Sequence, residues 1–358
     1  MKGRFLRRIA RPLALVAPLV LAACATDAPQ DALDCAGPVC QRADDLFRPV
    51  FWIAVAIFVI VEGAIVFAAI KFRDRPGREE PRQVHGNTKL EFAWTLIPAL
   101  LMAGVAVPTV YTIIDSAPAL DSGDLEVTVV AKQWWWEYEY LNAGDIPFFT
   151  ANELVIPTGR SVFLNLTSDD VIHSFWIPRL AGKQDVVPGR TNTLELEASE
   201  PGFFEGQCAE FCGISHANMR LRVRAVDPAT FDAWVNDQIQ PAQVPSDPNA
   251  RAGMDLFFGE PVGATNACIQ CHAIRGTEAL ARVGPDLTHF ASRTWYAGTY
   301  LRLLDDDLTL TDGAQDQLHA WIKNTRALKP GVRMPPFEDL GLTDDQIDLL
   351  VAYLLSLK

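Results

Sequence analysis

Two uninterrupted apolar stretches stand out along the chain, Pro49 to Phe72 and Phe92 to Ile114. Each has the length of about 20 residues that a helix needs to cross a bilayer. From Leu125 the pattern changes. The run Leu125-Glu126-Val127-Thr128-Val129-Val130 alternates and is rich in β-branched residues, which predicts a half-buried strand. Further short runs at 153–156, 161–166, 193–197 and 221–226 are punctuated by turn residues such as Pro157-Thr158-Gly159 and Pro188-Gly189. That pattern predicts an all-β sandwich or barrel. Pro228, capped by Asp227, opens a short helix, and Pro241 to Pro248 reads as a semi-extended spacer rather than a packed element. The last segment, Thr343 to Leu354, is amphipathic with a capping start and predicts a terminal helix.

The loop between the apolar stretches carries Lys71, Arg73, Arg75, Arg78, Arg82 and Lys89. By the positive-inside rule it is cytoplasmic, and both tails lie outside. The N-terminus agrees. Lys2, Arg4, Arg7, Arg8 and Arg11 precede an apolar run from Leu13 to Ala23 that is too short to span a bilayer and reads as a secretory signal. Its end, Leu21-Ala22-Ala23-Cys24, resembles a bacterial lipoprotein cleavage box, with Cys24 as the lipidated first residue of the mature chain. The alternative is an ordinary signal with a chance cysteine. Glu62 lies inside the first stretch, where a carboxylate marks a proton path or a packing partner in a larger complex. Glu91 opens the second stretch, and Pro98 and Pro108 within it are tolerated in a helix bundle. Of the net charge of −13, most sits in residues 115–250, with 20 Asp and Glu against 8 Lys and Arg. Such a surface repels nucleic acid and attracts a basic protein partner, unless it serves solubility alone.

The 7 cysteines sort by spacing into one alone and three close pairs, and each pair asks for its own chemistry. Cys35 and Cys40 flank Gly37-Pro38, which suits a turn closed by a disulfide in an oxidising compartment, with free thiols as the alternative. Cys208-Ala-Glu210-Phe-Cys212-Gly-Ile-Ser-His216-Ala-Asn-Met219 and the upstream His173 form a set of two thiolates, two imidazoles and a thioether. Soft ligands of this kind suit copper rather than magnesium or calcium. A mononuclear blue-copper site needs one cysteine, so two suggest sulfurs bridging two ions; the competing reading is a disulfide and an ordinary packed histidine. Cys268-Ile-Gln-Cys271-His272 is the attachment motif of haem c, with His272 on the iron. Met334, in Arg333-Met334-Pro335-Pro336, is the expected sixth ligand. His289 and His319 are lesser candidates, and Met254 belongs to a helix core.

These motifs carry a resemblance. Gln133-Trp134-Trp135-Trp136-Glu137-Tyr138-Glu139-Tyr140, His173-Ser-Phe-Trp176-Ile-Pro178, Gly182-Lys183-Gln-Asp185-Val-Val-Pro188-Gly189-Arg190, the Cys208–Met219 loop and Glu91-Phe-Ala-Trp94-Thr-Leu-Ile-Pro98 resemble cytochrome c oxidase subunit II over about residues 40–227. The resemblance implies a cupredoxin sandwich whose binuclear copper A centre is held by His173, Cys208, Cys212, His216, Met219 and the Glu210 carbonyl. It implies that the Glu210 carboxylate binds a magnesium shared with the catalytic subunit. It also implies that electrons arrive at Trp134, although a packing role in a strand is the plain alternative for the tryptophans. Glu91 is implied at the mouth of a proton channel. Residues 251–358, with Gly284-Pro285-Asp286-Leu287, Met334-Pro335-Pro336 and the terminal helix, resemble a class I cytochrome c in which the Pro285 carbonyl orients His272. The fusion points to caa-type oxidases.

The expected organisation is multidomain: a lipoprotein-type signal over 1–24, a periplasmic segment over 25–47, a transmembrane helical hairpin over 48–114, an all-β cupredoxin-like sandwich over 115–227, a helix and linker over 228–250, and an all-α class I cytochrome c over 251–358. The expected setting is the bacterial inner membrane, with two spans and both ends in the periplasm. Electrons run from a soluble or membrane-bound cytochrome c through haem c and copper A to haem a and copper B in subunit I, with subunit III alongside. The linker raises the local haem concentration at the copper site to roughly millimolar. No histidine set for an oxygen-reducing centre lies in the two spans, so this chain alone does not consume oxygen. The rival readings are the copper A subunit of a nitric oxide reductase and a membrane-anchored redox carrier without a catalytic partner.

Overall fold

The computed structural model describes residues 28–74, 77, 83, 85–119, 121, 124–259, 268–337 and 341–358. The signal segment and Cys24 lie outside the described residues. Two helices, α1 (Pro38–Lys71) and α2 (Thr88–Asp115), form the hairpin, and both are long and apolar enough to cross a membrane. Their apolar side chains face outward, from Trp52, Phe58 and Ile60 to Phe92, Val107 and Ile114, as a lipid-facing surface requires. Helix α1 is continuous over 34 residues and so begins well before the apolar run at Pro49. Its first turns are fixed to the rest of the chain. The Ala36 amide donates to Arg179 O and the Cys40 amide to Leu180 O, Arg42 pairs with Glu195 at 3.8 Å, and Cys35 and Cys40 are joined as a disulfide with Cα atoms 5.4 Å apart.

Ten strands follow: β1 (Leu125–Lys132), β2 (Trp135–Tyr140), β3 (Phe148–Ala151), β4 (Glu153–Pro157), β5 (Val162–Ser168), β6 (His173–Trp176), β7 (Gln184–Val186), β8 (Asn192–Leu196), β9 (Gly202–Cys208) and β10 (Arg220–Val226). They make two five-stranded sheets, ordered β3-β2-β1-β5-β8 and β4-β10-β9-β6-β7. Pairings are antiparallel except β1 with β5 and β10 with β4. Val127, Val129, Trp136, Tyr138, Leu164, Phe175, Leu221 and Val223 fill the space between the sheets with essentially no exposure. The Tyr140 hydroxyl ties one sheet to the other, donating to Val155 O and accepting from the Val155 amide, both at 2.8 Å. Alternation along the chain announces β1, β4, β5, β8 and β10. It does not announce β3, β6, β7 and β9, which are short or carry motif residues whose polarity breaks the pattern. Trp134 lies in the turn before β2 rather than in the strand.

Helix α3 (Pro228–Gln238) is capped by Asp227, whose carboxylate accepts the Thr230 amide at 3.0 Å. It packs Trp234 against Tyr140 and Phe148. The segment after it has no regular structure but is pinned: the Ala242 amide donates to Arg275 O. The C-terminal unit comprises α4 (Pro248–Phe258), a small hairpin of β11 (Trp295–Tyr296) and β12 (Leu301–Arg302), α5 (Ala314–Lys323), α6 (Thr325–Leu328) and α7 (Asp344–Ser356). Helix α4 crosses α7, with Phe257 edge-on to Tyr353. Thr343 and Gln346 cap α7 reciprocally.

This unit is docked on the sandwich as well as joined to it by the spacer. Arg282 pairs with the buried Glu137 at 2.7 Å and lies over the Phe149 ring. Arg222 reaches Asp306 at 3.0 Å, Thr294 donates to Glu153, and the Arg220 amide donates to Gly298 O. A spacer composition says how a segment behaves alone. It is silent on whether the units it joins offer complementary surfaces.

Candidate redox sites

The first site is assembled by strand ends and one loop. Strand β9 ends at Cys208 and β10 begins after Met219. The Cys208 amide donates to Met219 O, so the intervening residues close into a compact loop. Strand β6 brings His173 beside it. Cys208 Sγ lies 3.8 Å from Cys212 Sγ and 3.8 Å from His173 Nδ1. Cys212 Sγ lies 3.6 Å from His216 Nδ1 and 3.8 Å from Met219 Sδ. The Glu210 carbonyl is 3.2 Å from Cys208 Sγ, and the Glu210 side chain is exposed. The sulfurs are too far apart for a disulfide, whose S–S distance is about 2.05 Å. The loop thus brings all six positions together as separate donors. His173, Cys208 and Cys212 are buried and form a group able to hold a metal ion.

Burial works against charge here, and hydrogen bonding wins. The contact with Cys212 holds the Cys208 thiol low against the desolvation that would raise it, and His173 adds to the same effect. The neighbouring Cys208 and burial push the Cys212 thiol up. Burial lowers His173, but its bond to Asp170 and the neighbouring Cys208 raise it overall. Asp170 is a residue the sequence reading missed. Its carboxylate lies 2.9 Å from His173 Nε2 and also accepts the Gln133 amide at 2.7 Å. With Nε2 so engaged, Nδ1 is left to face the sulfurs. Orienting carboxylates of this kind typically account for roughly 10–100-fold in metal affinity. Asp170→Ala is therefore expected to weaken metal retention by roughly that factor, read by competition with a chelator. Unchanged retention would remove Asp170 from the site.

The second site is a cavity of about 720 Å3 between the C-terminal unit and the edge of the sandwich, within the usual range for ligand pockets of roughly 300–1,000 Å3. Cys268, Cys271, His272 and Met334 all line it. Cys268 to Gln270 form a single helical turn. His272 Nδ1 donates to Pro285 O at 2.8 Å. That bond fixes the tautomer and leaves Nε2 as a lone-pair donor toward the cavity. Burial lowers His272, in keeping with a neutral ligand. Gly284 packs so closely on the His272 ring that a Cβ there would lie 2.6 Å from it. The Met334 carbonyl is held by the Thr325 hydroxyl at 2.8 Å. Arg293, also on the wall, is buried with Nε lacking a partner among the described residues. A buried cation of that kind asks for an anionic group, and the carboxylates of a haem supply one. His289 and His319 are placed elsewhere: His289 Nε2 lies 3.2 Å from Gln240 O, and His319 sits between Asp344 and Asp348.

Trp134 joins the two sites. Its indole Nε1 donates to Cys212 O at 3.0 Å, and the same residue lines the cavity that holds Met334. Its side chain is covered, with 7% exposure. Glu91 stands apart in the first turn of α2, where its carboxylate accepts the Asn87 amide at 3.1 Å.

Comparison with known proteins accounts for most of the chain. Residues 26–111 match the family described as the transmembrane domain of cytochrome c oxidase subunit II, and residues 147–226 match its periplasmic domain. Residues 259–358 match cytochrome c. A cytochrome c oxidase subunit 2 from Alkalihalophilus pseudofirmus is 39% identical, covering 95% of this chain and 94% of that one. That from Bacillus sp. is 37% identical over 80% of each chain, and that from Bacillus subtilis 33% identical over 97% and 96%. With a hairpin, a sandwich and a helical unit that follow those three matches in order, the chain belongs to the cytochrome c oxidase subunit II family, in the form that carries a cytochrome c domain at its C-terminus.

Proposed function

We propose that His173, Cys208, Cys212, His216, Met219 and the Glu210 carbonyl hold copper A, and that Cys268, Cys271, His272 and Met334 hold haem c. When bound, the two groups each accept and release one electron. The chain's residues do the rest. Cys208 and Cys212 would supply two sulfur donors to the metal and share its charge. Asp170 fixes the His173 ring, Pro285 fixes the His272 ring, and Thr325 fixes Met334. Trp134 spans from the cavity wall to the Cys212 carbonyl, and this contact carries the proposal: one side chain touches both sites.

In this reading a cytochrome c donor reduces the C-terminal unit, Trp134 passes the electron to the copper loop, and the catalytic subunit with haem a and copper B receives it for oxygen reduction and proton translocation. Subunit III completes the assembly. In the same reading the Glu210 carboxylate, which is exposed, binds a magnesium shared with the catalytic subunit, and Glu91 marks the mouth of a proton channel. The hairpin anchors the chain in the bacterial inner membrane with both ends in the periplasm, aided by a lipid on Cys24. The test is metal and optical analysis of the purified chain. The expected result is two coppers with near-infrared absorption and one covalent haem c. One copper or none would defeat it.

A further inference from the structure

The geometry points to the turn Lys329-Pro330-Gly331, which leads into Met334, as the docking element through which the C-terminal unit delivers electrons to Trp134, with Lys329 as its positioning residue. This rests on the copper and haem reading above. Three consecutive residues each touch the other unit. Lys329 Nζ donates to Trp134 O at 2.6 Å and to Ala297 O at 2.7 Å. Pro330 O accepts from the Ser215 hydroxyl at 2.6 Å, one residue before His216. Gly331 lies against the Trp134 indole, where a Cβ would come within 2.7 Å of the ring, and its φ of +83° suits glycine. Chain atoms therefore connect Met334 to Cys212 through Gly331, the Trp134 ring and the Nε1 to Cys212 O hydrogen bond.

Lys329 is the residue that needs explaining. It is 1% exposed, and among the described residues no carboxylate pairs with it. Burying a lone ammonium is costly unless its protons are bonded. Here two carbonyls bond it, one from each unit. Burial lowers it to about 7, with the Cys212 sulfur as the opposing influence. A lysine kept to order its own turn would reach its own unit alone. The same packing shields Trp134 from a soluble donor. Electrons must then come in through the C-terminal unit, one at a time, oxidising it as the copper pair is reduced, with no bond made and no proton moved.

The test uses the assembled oxidase carrying Lys329→Met or Gly331→Ala. Photoreduction of the C-terminal unit starts the reaction, and the near-infrared band follows the copper pair. The expected result is a tenfold or greater slowing of transfer between the two centres in both variants. The haem spectrum, the near-infrared band and the rate at which soluble cytochrome c reduces the C-terminal unit should be unchanged. Transfer within twofold of the unsubstituted oxidase, with both centres loaded, overturns the inference. If Lys329→Met fails to assemble, Gly331→Ala decides alone. Absence of either centre from the unsubstituted oxidase defeats the cofactor reading itself and, with it, this inference.

Discussion

Cys208→Ser is expected to erase the near-infrared absorption of the purified chain while leaving its covalent haem intact, and Cys212→Ser to do the same. The sulfurs lie 3.8 Å apart in a loop closed by the Cys208 amide and Met219 O. Serine keeps the size and removes the soft donor on which copper preference rests. Losing only the carboxylate that orients a ligand costs roughly 10–100-fold. Losing a sulfur donor outright should therefore lower oxygen uptake by the assembled oxidase at least about 100-fold. Uptake on an oxygen electrode and an absorption scan on the same preparation decide it. A surviving near-infrared band in either variant would show that the electron is not held there.

The converse experiment separates the two centres. A chain with Cys268→Ala and Cys271→Ala should show no haem that survives denaturing electrophoresis, yet retain the near-infrared band. The cavity of about 720 Å3 then loses its occupant, and the C-terminal unit should melt at lower temperature because a ligand that binds only the folded state stabilises it. Oxygen uptake with soluble cytochrome c should fall at least roughly 100-fold, since the intramolecular donor is lost. It cannot be recovered by direct delivery while the docked unit covers Trp134. Full uptake from the haem-free chain would place the donor's contact on the copper loop instead.

What could be read from the sequence divides by distance along the chain. Cys208, Cys212, His216 and Met219 were legible because their spacing alone limits them to one loop, and Cys268, Cys271 and His272 because thiol and imidazole must meet one macrocycle. Asp170 was not. An aspartate beside Asp169 in a polar turn looks like solvated charge, and only the path of β6 shows that it meets the His173 ring. Lys329 was less legible still. Lys-Pro-Gly reads as an exposed turn, and lysine is almost never fully buried. Its burial comes from docking of two units nearly 200 residues apart in sequence, as does that of Glu137, reached by Arg282. The hairpin was visible in full, but the start of α1 was not, because its first turns are polar and are held by contacts with the sandwich.

Those polar turns set a height. At about 1.5 Å per residue, the 34 residues of α1 make a rod about 51 Å long, against a hydrocarbon layer about 30 Å thick. Roughly two-fifths of the rod therefore stands clear of the lipid as a stilt, bolted to the sandwich at Arg179, Leu180 and Glu195. A sandwich held this way is coupled to the hairpin at three residues. A tilt of the membrane rod is thereby passed to the sandwich, so lateral grip on the hairpin by neighbouring subunits also sets the direction in which the Cys208–Met219 loop points.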